Sequence, residues 1–164
     1  MREQELRDYA AIVLEIGVDL QPGQDVAINA FVEHVEFARI LADEAYKRGA
    51  ELVDPWYWDA QVKRSRLLHA PEASLGRTPA MLDTRYEDLA ARKGALINIV
   101  GDPDPDVLSG IDPRRAGLDR MPGSPRAFVC RPANSFPGRS SRSRPMAGQR
   151  RCLAWRMPIS SGKS

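Results

Sequence analysis

Three carboxylates stand two residues apart in Asp102-Pro103-Asp104-Pro105-Asp106, a spacing that can collect a hard cation. A helix-loop-helix calcium loop needs Gly at its sixth position and Glu at its twelfth. This chain has Val107 and Pro113 there, so the run reads as an acidic, proline-stiffened loop. The two histidines, His34 and His69, belong to no His-Glu-x-x-His pair. Transition-metal sites gather several such ligands, so a metal site in the front of the chain is not expected. His34 follows a strand and can face a cleft at the carboxyl edge of a sheet, where open α/β sheets bind ligands. Its plainer alternative is a surface residue beside a helix start. Trp56-Tyr57-Trp58 is the densest aromatic patch and suits a core or a subunit contact. Ser65, Ser74 and Ser109 lack the Gly-x-Ser-x-Gly context of an activated serine. Ser161-Gly162-Lys163-Ser164 echoes the end of a phosphate loop, but Met157 stands where its first glycine belongs. No catalytic, metal-binding or substrate-binding residue is assigned from these patterns.

The charge distribution divides the chain. All 22 acidic residues lie in positions 1–120, against 15 basic ones, a net of −7. Positions 121–164 carry nine basic residues and no acidic one, a net of +9. That second stretch also holds six Pro, eight Ser and four Gly, and no periodicity outlasts a turn. Such a composition buries too little apolar surface to offset ordering entropy, so a disordered basic tail is expected. Its Arg139-Ser140-Ser141-Arg142-Ser143-Arg144 run can meet nucleic-acid phosphates, though few aromatics accompany it and nucleic acid is not the favoured partner. Cys130 and Cys152, both in the tail, make no disulfide framework. Met1–Leu20 is charged from its second residue, unlike a signal peptide, and no apolar run reaches membrane-spanning length. A cytoplasmic protein is the expectation.

Residues 1–120 have the pattern of one α/β domain. Leu6, Tyr9, Ala10, Val13, Ile16 and Gly17 form an apolar stripe that predicts a helix over Glu3–Val18. Leu20-Gln21-Pro22-Gly23 reads as a turn, and Asp25–Val32 as a strand covered on both faces. Val35–Arg48 follows as a helix, with Ala38, Leu41, Ala42 and Ala45 inward and Gly49 as its terminating glycine. Ala50–Trp58 is a second strand, placed at an edge or broken because Pro55 lacks a donor. Gln61–Ala70 is helical up to Pro71, and Thr78-Pro79 starts a helix that runs to Gly94. Ala95–Val100 is a third buried strand, and Asp112-Pro113 opens one more helix. The order α-β-α-β-α-α-β-α predicts a small parallel sheet with right-handed crossovers and helices packed on it. Three strands leave such a sheet incomplete, since a buried strand needs neighbours on both sides.

The front of the chain resembles the N-terminal domain of the thermophilic metalloprotease family, of the aminopeptidase T type. The resemblance is carried by Tyr9-Ala10, by Gly17-Val18-Asp19-Leu20-Gln21-Pro22-Gly23-Gln24-Asp25-Val26 and by Ile28-Asn29-Ala30. It continues through Glu44-Ala45-Tyr46-Lys47-Arg48-Gly49-Ala50, Arg66-Leu67 with Ala70-Pro71-Glu72, and Leu108-Ser109-Gly110-Ile111-Asp112-Pro113. It covers residues 4–118 and stops near Ala116–Arg120, where the acids also stop. The resemblance implies a homodimeric cytoplasmic exopeptidase that removes N-terminal residues from peptides with two divalent ions, of the zinc, cobalt or manganese class. It also implies that the Glu, His, Tyr and Asp ligands lie in a later domain, so this chain would hold no cofactor and be inactive alone. The tail is expected to be out-of-frame translation of a GC-rich gene. The alternatives are a small non-enzymatic protein that binds nucleic acid through the tail, and a dimerising or regulatory module.

Overall fold

The computed structural model describes residues 2–101, 104, 106–119 and 152–156, the last five as backbone. Helix α1 (Glu3–Ile12) runs into a π-helical turn, Val13–Gly17. Strand β1 (Asp25–Phe31) leads through a 3-10 turn, Val32–His34, into α2 (Val35–Lys47). Strand β2 (Leu52–Trp58) is followed by α3 (Ala60–His69), the single turn α4 (Glu72–Leu75) and α5 (Ala80–Ala91). Strand β3 (Ala95–Val100), α6 (Pro113–Leu118) and β4 (Cys152–Arg156) complete the chain.

The sheet order is β2-β1-β3-β4, and every pairing is parallel. The α/β class, the three strands and their helices follow the sequence pattern. Strand β4 supplies the neighbour that β3 lacked in that pattern; it comes from the stretch in which no ordered element was expected. The remainder of residues 121–164 lies outside the described residues, with Cys130, the Arg-Ser run and Ser161–Ser164.

One face of the sheet carries the main core. Val26, Ile28 and Ala30 of β1 and Ala95, Ile97 and Ile99 of β3 pack against Leu6, Ala10, Val13 and Leu14 and against Phe37, Ala38, Leu41 and Ala45. All seven residues of β1 are buried, as a strand with helices on both faces must be. The α1 stripe departs from expectation at its end. Ile16 is 74% exposed, whereas Leu14 is fully buried. Val18 N–H bonds Val13 O at 3.0 Å, closing the wider π turn. Each residue of such a turn rotates less about the axis than in an α-helix, so Ile16 swings off the stripe.

Local chemistry sets the element ends. Gly49 has φ +86° and ends α2 in a Schellman arrangement: Ala50 N–H bonds Ala45 O and Gly49 N–H bonds Tyr46 O. Gly49 O then accepts from Gly23 N–H at 2.7 Å, docking the Pro22-Gly23 turn. Asp59 caps α3 through bonds from Gln61 N–H and Val62 N–H. Thr78 does not cap α5: the helix begins at Ala80, with Pro79 extended at the capping position. Pro cannot donate, and its fixed φ suits the residue just before a helix as well as the first one within it. Asp112 caps α6 with Pro113 at its first turn, as the sequence indicates.

Candidate functional site

The second face of the sheet, under α5, is polar at its centre. Asn29 on β1 and Asn98 on β3 share one register position, and both are buried. Asn29 Nδ2 donates to Asn98 Oδ1 at 2.8 Å and to the Tyr86 hydroxyl at 3.0 Å. Arg85 Nη1 donates to Asn29 Oδ1 at 3.0 Å. The rest of the Arg85 guanidinium serves β2: Nε bonds Asp54 Oδ2 and Nη2 bonds Asp54 O. Its carbon lies 5.5 Å from the Trp56 ring centre and 5.4 Å from that of Tyr86. One arginine from α5 thus ties β1 to β2 through charge-assisted bonds and two aromatic faces.

These groups hold one another: all three Arg85 nitrogens donate, and the Asn29 and Asn98 amides are bonded. The network fixes the register of β1 on β3 and the seat of α5. A cavity of about 70 Å³ adjoins it, lined by Asp25, Ala27, Leu52, Asp54, Arg85 and Asp88 among others. The space is partly open to solvent and has room for a few waters.

At the carboxyl edge, His34 Nε2 lies 3.2 Å from the carbonyl of Gly101, just past β3. His34 is therefore at the sheet edge where the sequence placed it, tied to backbone. His69 is exposed at the end of α3, on a different element. Arg64 Nη1 bonds the carbonyls of Val107 and Ser109 at 2.6 and 2.9 Å, fastening the loop after β3 onto α3. Within that loop Asp104 Oδ1 accepts from Asp106 N–H at 3.2 Å, which turns its carboxylate toward its own backbone. Asp102, Pro103 and Pro105 lie outside the described residues. Trp56 and Trp58 pack at 5.7 Å between ring centres, flanking the arginine network. Ser74 Oγ bonds Pro71 O at 2.7 Å.

Among the described residues no three His, Cys, Asp or Glu side chains are grouped to hold a metal ion. The residues here do not fit a two-metal centre, and no chemical step through one is assigned to them. No described helix is long and apolar enough to cross a membrane.

The Asn29–Asn98–Arg85 network was not singled out from the sequence, although it left a signal. Both apolar strands carry Ile-Asn, at Ile28-Asn29 and Ile97-Asn98, and an amide inside a buried strand must find a partner.

Comparison with known proteins bears on what this fold belongs to. Residues 2–125 match the family model of thermophilic metalloprotease (M29). Aminopeptidase T of Thermus thermophilus is 38% identical over 117 residues, which are 70% of this chain and 28% of that protein. Aminopeptidase AmpS of Bacillus subtilis is 34% identical over 112 residues, 68% of this chain and 27% of its own. The solved structure of wild-type AmpT from Thermus thermophilus superposes with a TM-score of 0.66 at 34% identity, over 71% of this chain and 29% of that one. The chain thus spans little more than a quarter of the length of the relatives it matches.

Proposed function

The chain belongs to the thermophilic metalloprotease (M29) family, and from that premise we propose that residues 1–120 are the N-terminal domain of a metallo-aminopeptidase and do not hydrolyse peptides by themselves. The observation that carries this is the 38% identity to an aminopeptidase over 117 residues, confined to 28% of its length. The whole enzyme would remove N-terminal residues from peptides in the cytoplasm, as a homodimer. Its two divalent ions, of the zinc, cobalt or manganese class, would sit in the part beyond this match. Bound metals of that class polarise a carbonyl and supply hydroxide at neutral pH. This domain's contribution would be a rigid wall beside the catalytic part, braced by the Arg85 network.

The reading extends to residues 121–164. Acidic residues cease after Asp119, and the family match ends at residue 125. Out-of-frame reading of a GC-rich gene yields Arg, Pro, Ser, Gly and Ala with few acids, the composition of this stretch. The residues after about Arg120, where the match runs out, are then frameshifted translation rather than a second functional domain.

The test is hydrolysis of a leucyl amide by the purified chain with zinc, cobalt or manganese added in turn. The expected result is no release above the metal-only control. Metal-dependent release by this chain would overturn the proposal.

A further inference from the structure

Within an acidic domain, the segment from α3 to the turn after α4 is basic. Residues 60–77 hold Lys63, Arg64, Arg66 and Arg77 against Glu72, a net of +3, while positions 1–120 sum to −7. The carboxylates at hand do not balance these cations. Glu72 pairs with Arg114 of α6 at 3.2 Å. Lys63 and Arg66 share the one buried carboxylate of Asp119, at 3.4 and 3.1 Å, which leaves one of their two charges uncompensated. Arg77 adds a second. It is exposed, and its side chain pairs with no described residue.

Arg66 also holds the turn that follows α4. Its Nε donates to Asp119 Oδ1, and its Nη2 donates to the carbonyls of Ser74, Leu75 and Arg77 at 2.8, 3.0 and 3.3 Å. Four bonds fix the plane of this guanidinium. Nη1 is its one nitrogen without a bond to a described residue. The bond to the Arg77 carbonyl also sets the base of the Arg77 side chain close by. Arg66, Ser74, Arg77 and Pro79 line one cleft of about 260 Å³, with no carboxylate among them. Ser74 Oγ already donates to Pro71 O, so the free donors in the cleft are the two guanidiniums. Planar arginine forks are the groups that suit an oxyanion, and a fork held in place beforehand loses little freedom on binding.

We propose that this cleft binds a small, doubly charged oxyanion of the phosphate class, with Arg66 Nη1 as its fixed donor and the Arg77 guanidinium as its adjustable one. The two uncompensated charges call for a dianion, and a monocarboxylate would balance only one of them. The site shares no residue with the Arg85 network.

The test is a titration of the full chain with inorganic phosphate at about pH 8, where phosphate is mostly dianionic, at constant ionic strength. Binding is read by calorimetry and by the side-chain N–H resonances of the arginines. Saturable binding that shifts the Arg66 and Arg77 signals is expected. Arg77→Met should weaken it about tenfold or more, the worth of a charge-assisted hydrogen-bond pair. Because Arg77 pairs with nothing described, the same variant should keep its melting temperature in phosphate-free buffer, which separates lost binding from lost folding. Arg39→Met, at an exposed arginine on α2, should bind phosphate as the unsubstituted chain does. Acetate should bind about tenfold more weakly than phosphate, since one charge is left unmatched. Absence of saturable binding would overturn the proposal. So would unchanged binding in R77M, or an equal loss in R39M, which would make the effect one of general charge. Acetate binding as tightly as phosphate would overturn the dianion assignment.

Discussion

Asn29 and Asn98 face each other at one register position of neighbouring buried strands, with 2.8 Å between Asn29 Nδ2 and Asn98 Oδ1. A one-residue slip of β3 would turn Asn98 into the apolar face now filled by Ile97 and Ile99. The amide pair therefore specifies register as well as adding stability. Asn29→Ala removes a donor from Asn98 and Tyr86 and an acceptor from Arg85. Buried partners left without their bonds cost about 1–3 kcal/mol. Urea unfolding of the variant should show that loss in the midpoint at unchanged slope, and a shift within error would contradict the role given to the pair.

Gly49 combines a positive φ with a close neighbour. A Cβ there would meet Pro22 Cβ at 3.2 Å and Pro22 Cα at 3.4 Å. The left-handed conformation alone costs a side chain about 1–2 kcal/mol. Gly49→Ala should lose at least that much in chemical denaturation, whereas Gly76→Ala, with no atom within 4 Å of its added Cβ, should lose far less. Equal losses at the two positions would refute the docking of the Pro22 turn on Gly49.

The outer surface of α1 and α2 makes acid stability testable. The ammonium of Lys47, then the guanidinium of Arg7, hold the Asp43 carboxyl below its ordinary range. Arg48, then Lys47, do the same for Glu44. Carboxylates with depressed folded values contribute stability that is complete above the unfolded range and is lost as pH falls through the folded one. The melting temperature should therefore drop as pH falls below about 4. Lys47, raised chiefly by Asp43, contributes in the opposite window and loses its share only at alkaline pH. Glu44 is the more shielded carboxylate, 14% exposed against 49% for Asp43. Glu44→Gln should reduce the difference in melting temperature between pH 7 and pH 3 more than Asp43→Asn does. The opposite ranking would show that shielding does not govern these pairs.

Much of the fold could be read from short-range chemistry. The buried run of β1, the terminating Gly49, the Asp112-Pro113 helix start and the edge position of the Pro55 strand each depend on residues within a few positions. What escaped depends on distant groups or on small changes of pitch. Ile16 looked inward because the α period was extended through a π turn. Thr78 looked like a cap because the one-residue shift to Pro79 leaves no mark in composition. Arg85 reads as an ordinary charge on a helix until the fold brings it to Asp54, Asn29 and Trp56, residues 29 to 56 positions away. The composition of residues 121–164 leaves no periodicity from which a strand could be read, and of that stretch the structure describes Cys152–Arg156, paired with β3.

The central claim is that this chain carries the first domain of a metallo-aminopeptidase, with the catalytic part written in a different reading frame. Resequencing the gene from codon 100 and translating every frame past codon 120 tests it most directly. The account predicts that one frame continues the family, with the Glu- and His-bearing segments of a metal-binding domain. If the sequence is confirmed and no frame past codon 120 continues the family, the frameshift account is contradicted, and residues 121–164 are a genuine part of this protein.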